Sequence, residues 1–139
     1  MRNPIVVDTN ILLSALIADS KTRELIVGID RQLVVPEAIH REIEKYRDMI
    51  REKSSLTDEE LDTLLETLFK YIQIVPDEQL EDHLTESKEE LADIDEDDVI
   101  FLAAALAVDG ILWSDDTDFQ NQKLVSVLTT SEIIARIED

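Results

Sequence analysis

The sequence predicts a single α/β domain, built on a mainly parallel central sheet of about five strands with helices covering both faces. Three observations predict it. Five short runs rich in β-branched and aliphatic residues punctuate the chain: PIVVD (4–8), LVV (33–35), YIQIV (71–75), GILWS (110–114) and LVSVL (124–128). Segments with helical periodicity separate them, and strands alternating with helices form βαβ units whose sheet is buried on both sides. Finally, 139 residues of which 44% are hydrophobic suit one domain, residues 1–139, with a substantial core.

Each element has its own justification. PIVVD is an apolar strand that ends in an acid, Asp8. Thr9 is placed to cap a helix carrying Ile11, Leu12, Ala15 and Leu16 on one face. A second helix covers 21–29 and ends near Gly28. After the strand 33–35, Pro36 stands where a first helical turn tolerates proline. The helix that follows, over roughly 37–52, has Ala38, Ile39, Ile43, Tyr46 and Ile50 as its apolar stripe. SSLTDEE (54–60) supplies turn and cap residues for a helix over about 58–70, with Leu61, Leu64, Leu65 and Leu68. Pro76 stops the strand 71–75. Residues 77–98 hold twelve acids and one base, Lys88, and Leu80, Leu84 and Leu91 allow a helix among them. The segment 98–108 is apolar nearly all round, which predicts a buried helix. TTSEIIARI (129–137) reads as a capped terminal helix.

Composition removes several classes of function. There is no Cys, so disulfides, a thiolate nucleophile and a sulfur-ligated zinc site are excluded. That absence also fits a reducing cytoplasm, the expected location. The longest apolar run, VIFLAAALAV (99–108), is half of the ~20 residues a membrane-spanning helix needs. The first residues lack the pattern of a signal peptide. Thirteen Lys and Arg against 33 Asp and Glu give a net charge of −20. Such a chain repels polyanions at long range, so nonspecific phosphate binding is disfavoured. The exception is a protein whose carboxylates hold a divalent metal through which phosphate is bridged.

In parallel α/β sheets ligands bind outside the carboxyl ends of the strands. Acids recur there. Asp8 closes the first strand, and Asp116 follows the strand 110–114 by two residues. Glu42 lies beside the apolar stripe of the helix after Pro36, and Asp98 opens the buried helix, with Asp93 and Asp95 just upstream. Each has an ordinary reading: Asp98 as a helix cap, Asp116 and Asp118 as turn formers, Glu42 as a solvated helix residue. Asp8 is the hardest to dismiss, because an acid closing a buried strand needs a partner. Four carboxylates converging on one sheet edge repel one another unless cations neutralise them. Oxygen donors without Cys or a nearby His favour Mg²⁺ or Mn²⁺ over zinc.

Four stretches carry a resemblance. VVDTNILLSAL (6–16), PEAIHREIEKY (36–46), DEDDVIFLAAALA (95–107) and ILWSDDTDF (111–119) resemble, in order and spacing, the motif blocks of PIN-domain proteins. PIN domains are three-layer α/β/α sandwiches around a parallel sheet. Many are Mg²⁺- or Mn²⁺-dependent ribonucleases, among them the VapC toxins of toxin–antitoxin pairs. The resemblance implies an endoribonuclease that hydrolyses RNA phosphodiester bonds, with an antitoxin as protein partner. It implies that Asp8, Glu42, Asp98 and Asp116 form the acidic quartet that is catalytic and holds the metal. Thr9 or Asn10, Ser114 and Asp118 match the supporting polar positions, with Asp118 also an alternate ligand. In D-I-D-E-D-D (93–98), Asp98 takes the third acidic position and Asp95 at most an outer one.

Substrate contacts have few bases to draw on. Arg41 and Lys45, neighbours of Glu42, are the candidates for RNA phosphates. Trp113, flanked by apolar residues, belongs to the core, and neither His40 nor His83 is placed as a general base. A homodimer is expected, from the resemblance and from the leucines after residue 57. A second reading is non-enzymatic: a PIN-like module, catalytically weak or inactive, that binds metal or a protein partner. A phosphotransfer domain would need a Lys near the phospho-accepting Asp, and no Lys occurs between Lys88 and Lys123.

Overall fold

The β-branched runs form one five-stranded sheet in the computed structural model, which describes residues 3–17, 20–91 and 96–138. The strands are β1 (Ile5–Val7), β2 (Leu33–Pro36), β3 (Ile72–Val75), β4 (Ile111–Trp113) and β5 (Val127–Leu128). Every pairing is parallel, in the order β3-β2-β1-β4-β5. The chain thus builds outward from β1 through β2 to β3, then crosses back to place β4 on the other side of β1. With crossovers of one hand, that reversal sends helices to both faces and makes a three-layer α/β/α sandwich. It also creates a switch point at the carboxyl ends of β1 and β4, where such sheets bind ligands.

Eight helices are found among the described residues: α1 (Thr9–Ile17), α2 (Ser20–Gly28), α3 (Ile39–Lys45), α4 (Arg47–Ser54), α5 (Asp58–Leu68), α6 (Glu81–Glu90), α7 (Glu96–Ala107) and α8 (Thr130–Glu138). The helix apolar on all sides, α7, packs across β2, β1 and β4, and its Phe101 to Ala105 are buried. Helix α1 packs against α2, α3, α4 and α5. None of these helices is long and apolar enough to cross a membrane.

Caps explain where several helices begin. Thr57 accepts the N–H of Glu60 while Glu60 accepts that of Thr57, a reciprocal capping box at the start of α5. Thr129 and Glu132 make the same exchange ahead of α8. At α1 the expected cap is corrected: Thr9 is already helical, and the Asp8 carbonyl accepts the first N–H groups, from Ile11 and Leu12.

Other boundaries shift for physical reasons. The helix expected over 37–52 divides at Tyr46 (φ −103°, ψ 9°) into α3 and α4, and Pro36 ends β2 rather than opening a helix. The stripe 39/43/46/50 fits one straight helix equally well, so periodicity gives no sign of the break. Arg47, directly after it, is drawn to Asp58 and Asp62 of α5. The buried helix starts at Glu96, so Asp98 stands inside its first turn and is not its cap. The last strand shrinks from 124–128 to Val127–Leu128. Ahead of it, Gln122 ties up the loop, accepting from the N–H groups of Leu124 and Val125 and donating to the Val125 carbonyl.

Registration of β4 against β1 depends on close backbone approach. Helix α7 ends through Asp109 in a left-handed conformation (φ 52°), and the Gly110 N–H bonds back to the Ala105 carbonyl. The chain then passes so near β1 that a Cβ on Gly110 would sit 2.5 Å from the Pro4 carbonyl oxygen, which accepts from Ile111 N–H. Both atoms belong to backbone, so neither can swing aside. Gly110→Ala is therefore expected to lower stability by about 1–3 kcal/mol, read as a lower urea midpoint with an unchanged slope.

Candidate functional site

Parallel register sets the site. Val7 lies opposite Trp113, so the next residues, Asp8 and Ser114, leave the sheet side by side. Both are buried, and the Ser114 hydroxyl donates to Asp8 Oδ2 at 2.7 Å. The same hydroxyl accepts from Asp116 N–H at 3.0 Å, and Asp116 Oδ1 accepts from Asp118 N–H at 2.9 Å. One serine thereby joins the end of β1 to the turn after β4, and an Asx turn carries the order on to Asp118.

The predicted acids converge. Asp8, Glu42, Asp98 and Asp116 all line one cleft of about 160 Å³, together with Thr9, Asn10, Tyr46, Asp97, Phe101 and Asp118. Glu42 comes from the first turn of α3, Asp98 from the first turn of α7. Within the cleft the tightest group is Asp98, Asp116 and Asp118, which each offer one carboxylate oxygen within 4.8 Å of the others. Sequence reasoning ranked Asp118 as a supporting or alternate ligand, and the geometry sets it in the central trio. The D-x-D spacing held by the Asx turn was the signal for this. Asp95, the other acid weighed there, lies outside the described residues, as does Asp93.

Electrostatics fit a cation site. Asp8 is only 3% exposed. Burial, foremost, pushes its carboxyl above the usual aspartate value, the Ser114 and Thr9 hydrogen bonds pull it back, and Asp116 and Asp115 add to the rise. The Thr9 hydroxyl oxygen is buried and has no hydrogen-bond partner among the described residues. Buried polar atoms are almost always paired; Ser87 in α6 is a second unpaired hydroxyl, but the Thr9 oxygen lines the cleft, where a bound cation would give it a partner. The donor set is all oxygen, which suits a hard divalent cation. Arg41 and Lys45 are exposed on α3, and the Lys45 ammonium lies 5.3 Å from the centre of the Tyr46 ring at the cleft. Trp113 is fully buried, as expected.

A family model described as the PIN domain matches residues 6–137. The chain belongs to the PIN-domain family. No curated protein matches it in sequence. Three solved structures share the PIN architecture seen here. A chain of a toxin–antitoxin complex from Klebsiella pneumoniae superposes with a TM-score of 0.68 at 16% identity, over 90% of this chain and 96% of that one. A chain of VapBC2 from Rickettsia felis, bound to a DNA fragment from their promoter, gives 0.71 at 14%, over 91% and 98%. A chain of DNA-bound VapBC from Salmonella typhimurium gives 0.72 at 15%, over 93% and 98%. At these identities the likeness speaks for the fold.

For this PIN domain the buried Asp8 carries a stability consequence with a definite sign. Its raised value means that the folded protein holds a proton on Asp8 more tightly than the unfolded chain does. The contribution is therefore fully favourable below the unfolded value of 3.8 and is lost as pH rises through the folded one. Asp8→Asn keeps an acceptor for Ser114 without the charge. In EDTA it is expected to raise the melting temperature by a few degrees at pH 7 and to have no such effect near pH 3. Calorimetry across that range checks the sign.

Proposed function

We propose that the protein is a divalent-metal-dependent endoribonuclease that hydrolyses RNA phosphodiester bonds, acting as the toxin of a toxin–antitoxin pair. The observation that carries this reading is the convergence of Asp98, Asp116 and Asp118 carboxylates in a cleft that Asp8 and Glu42 also line. Asp98, Asp116 and Asp118 would hold Mg²⁺ or Mn²⁺, with Asp8 beside them. When bound, such an ion supplies Lewis acidity toward phosphate oxygens and lowers the pKa of water. The chain's own groups do the rest. Ser114 fixes Asp8 and Asp116 relative to each other. Glu42, from a separate helix, orients water on the α3 side of the cleft, and Asn10 and Thr9 offer hydrogen bonds at its rim and floor. Lys45 and Arg41 receive the phosphates that flank the scissile one. Tyr46 first, then Glu42 and Asp97, hold the Lys45 ammonium above its usual pKa. The toxin role and the antitoxin partner are supported by the solved relatives, which come from toxin–antitoxin complexes. The net charge of −20 favours one second reading, a PIN module that binds a cation or protein without cutting RNA.

Cleavage of single-stranded RNA in Mn²⁺ that stops with EDTA is the expected result, and no cleavage in either would leave the binding-module reading. Asp98→Asn, Asp116→Asn and Asp8→Asn should each cost at least ~100-fold in rate, beyond the ~10–100-fold typical of an outer ligand partner, which is the range expected for Asp95→Asn.

A homodimer is the assembly we propose, closed by a two-fold axis. Leu64 and Leu65 of α5 are only half-buried, and Leu84 of α6 is exposed. Light scattering at micromolar concentration should return twice the 15.9 kDa of one chain. A value near one chain would refute the dimer.

A further inference from the structure

The turn after β4 is pinned on two sides. On the inner side Ser114 holds it to Asp8 and to the N–H of Asp116. On the outer side stands Asp115, which does not line the cleft. Its two carboxylate oxygens take both polar hydrogens that the first residue of α8 offers, the Thr130 N–H at 2.7 Å and the Thr130 hydroxyl at 2.8 Å. A carboxylate at a helix N-terminus is also favoured by the helix dipole. The Thr130 hydroxyl in turn accepts from the indole N–H of Trp113 at 3.0 Å, and Trp113 is fully buried at the end of β4. The path is closed: from Trp113 along the backbone to Asp115, across to Thr130, and back to the Trp113 ring.

We propose that Thr130 and Asp115 are positioning residues, which clamp the turn 114–118 to α8 and so aim the Asp116 and Asp118 carboxylates at a divalent cation. The inference rests on the metal-centre reading above. Two of the three clustered carboxylates come from this one turn, where Asp116 is half-buried and Asp118 exposed. Mutual repulsion would swing such a turn outward. Ser114 holds the turn on the cleft side, through Asp8 and the Asp116 N–H, and the clamp adds a second restraint on the opposite side at Asp115. Groups that orient metal ligands in this way tune affinity by about 10–100-fold. Because the clamp ends on the only tryptophan of the chain, cation binding in the cleft is transmitted to the Trp113 indole.

The test is Mn²⁺ binding to the full chain, followed by titration calorimetry and by Trp113 fluorescence. The wild-type protein binds saturably with a change in emission. Thr130→Val, which removes the hydroxyl at nearly constant volume, weakens Mn²⁺ affinity ~10–100-fold and shrinks the melting-temperature gain that Mn²⁺ confers. Thr130→Ser restores both. Asp115→Asn, which keeps an acceptor but not the charge, loses affinity in the same direction and serves should Thr130→Val not fold. A merely structural clamp would lower the melting temperature equally with and without Mn²⁺ and leave affinity untouched. That result overturns the positioning role and leaves the metal centre standing. Absence of saturable Mn²⁺ binding by the wild-type protein overturns the metal centre, and the positioning role with it.

Discussion

Repulsion between carboxylates is the constraint on which the rest of this structure turns. Two unit negative charges ~5 Å apart in an effective dielectric of ~20 repel by about 3 kcal/mol, against a net stability of about 5–15 kcal/mol for a typical domain. Three carboxylates within 4.8 Å of one another, with a buried fourth beside them, exist only if the scaffold refuses to let them part. The strand order supplies the first restraint. Because β1 lies between β2 and β4, its carboxyl end is flanked by backbone on both sides, and Asp8 N–H bonds to the Trp113 carbonyl. The site is therefore anchored at the most deeply paired strand of the sheet.

The remaining restraints are side-chain hydrogen bonds, each using a polar group that would be costly to bury alone. Ser114 spends its donor on Asp8 and an acceptor on the backbone of Asp116, so burial leaves it satisfied. Asp116 spends one oxygen on the Asp118 N–H. Thr9 and Ser87 are the exceptions among the described residues, buried hydroxyls without a partner, and of the two Thr9 lines the cleft. The Thr9 oxygen shares the cleft with the clustered acids, where a bound cation would meet its need, whereas Ser87 lies away from them in α6.

Much of this was legible in the sequence. The five strands, their parallel pairing and the all-round apolar α7 follow from short β-branched runs alternating with helical periodicity, which reflects burial on both sheet faces. Asp8, Glu42, Asp98 and Asp116 were legible because each sits at a fixed offset from such an element. What escaped depended on tertiary geometry. The break at Tyr46 leaves the apolar stripe undisturbed, so no local pattern announces it. Asp115 and Asp116 look equivalent in S-D-D-T-D-F, yet one faces the cleft and the other the start of α8. Only the docking of α8, fifteen residues further on, separates their roles.

The same docking logic bears on the charge. Of the five bases between residues 37 and 53, Arg47 is engaged by Glu44, Asp58 and Asp62, and Arg51 pairs with Asp58. These pairs join α4 to α5 and take two guanidinium groups out of any substrate surface. At an ionic strength of 0.15 M, charges further apart than about 8 Å are largely screened. Most of the excess of acids is therefore felt by an approaching polyanion only at low salt, as a barrier to encounter. Near the cleft the balance is set by its own carboxylates and by Lys45. A divalent cation held there would offset part of the cleft's negative charge and give a phosphate one positive centre to bind, while the surface at large stays negative. Under that arrangement specificity would fall to the few groups at the cleft rim, since acids outnumber bases over the chain as a whole.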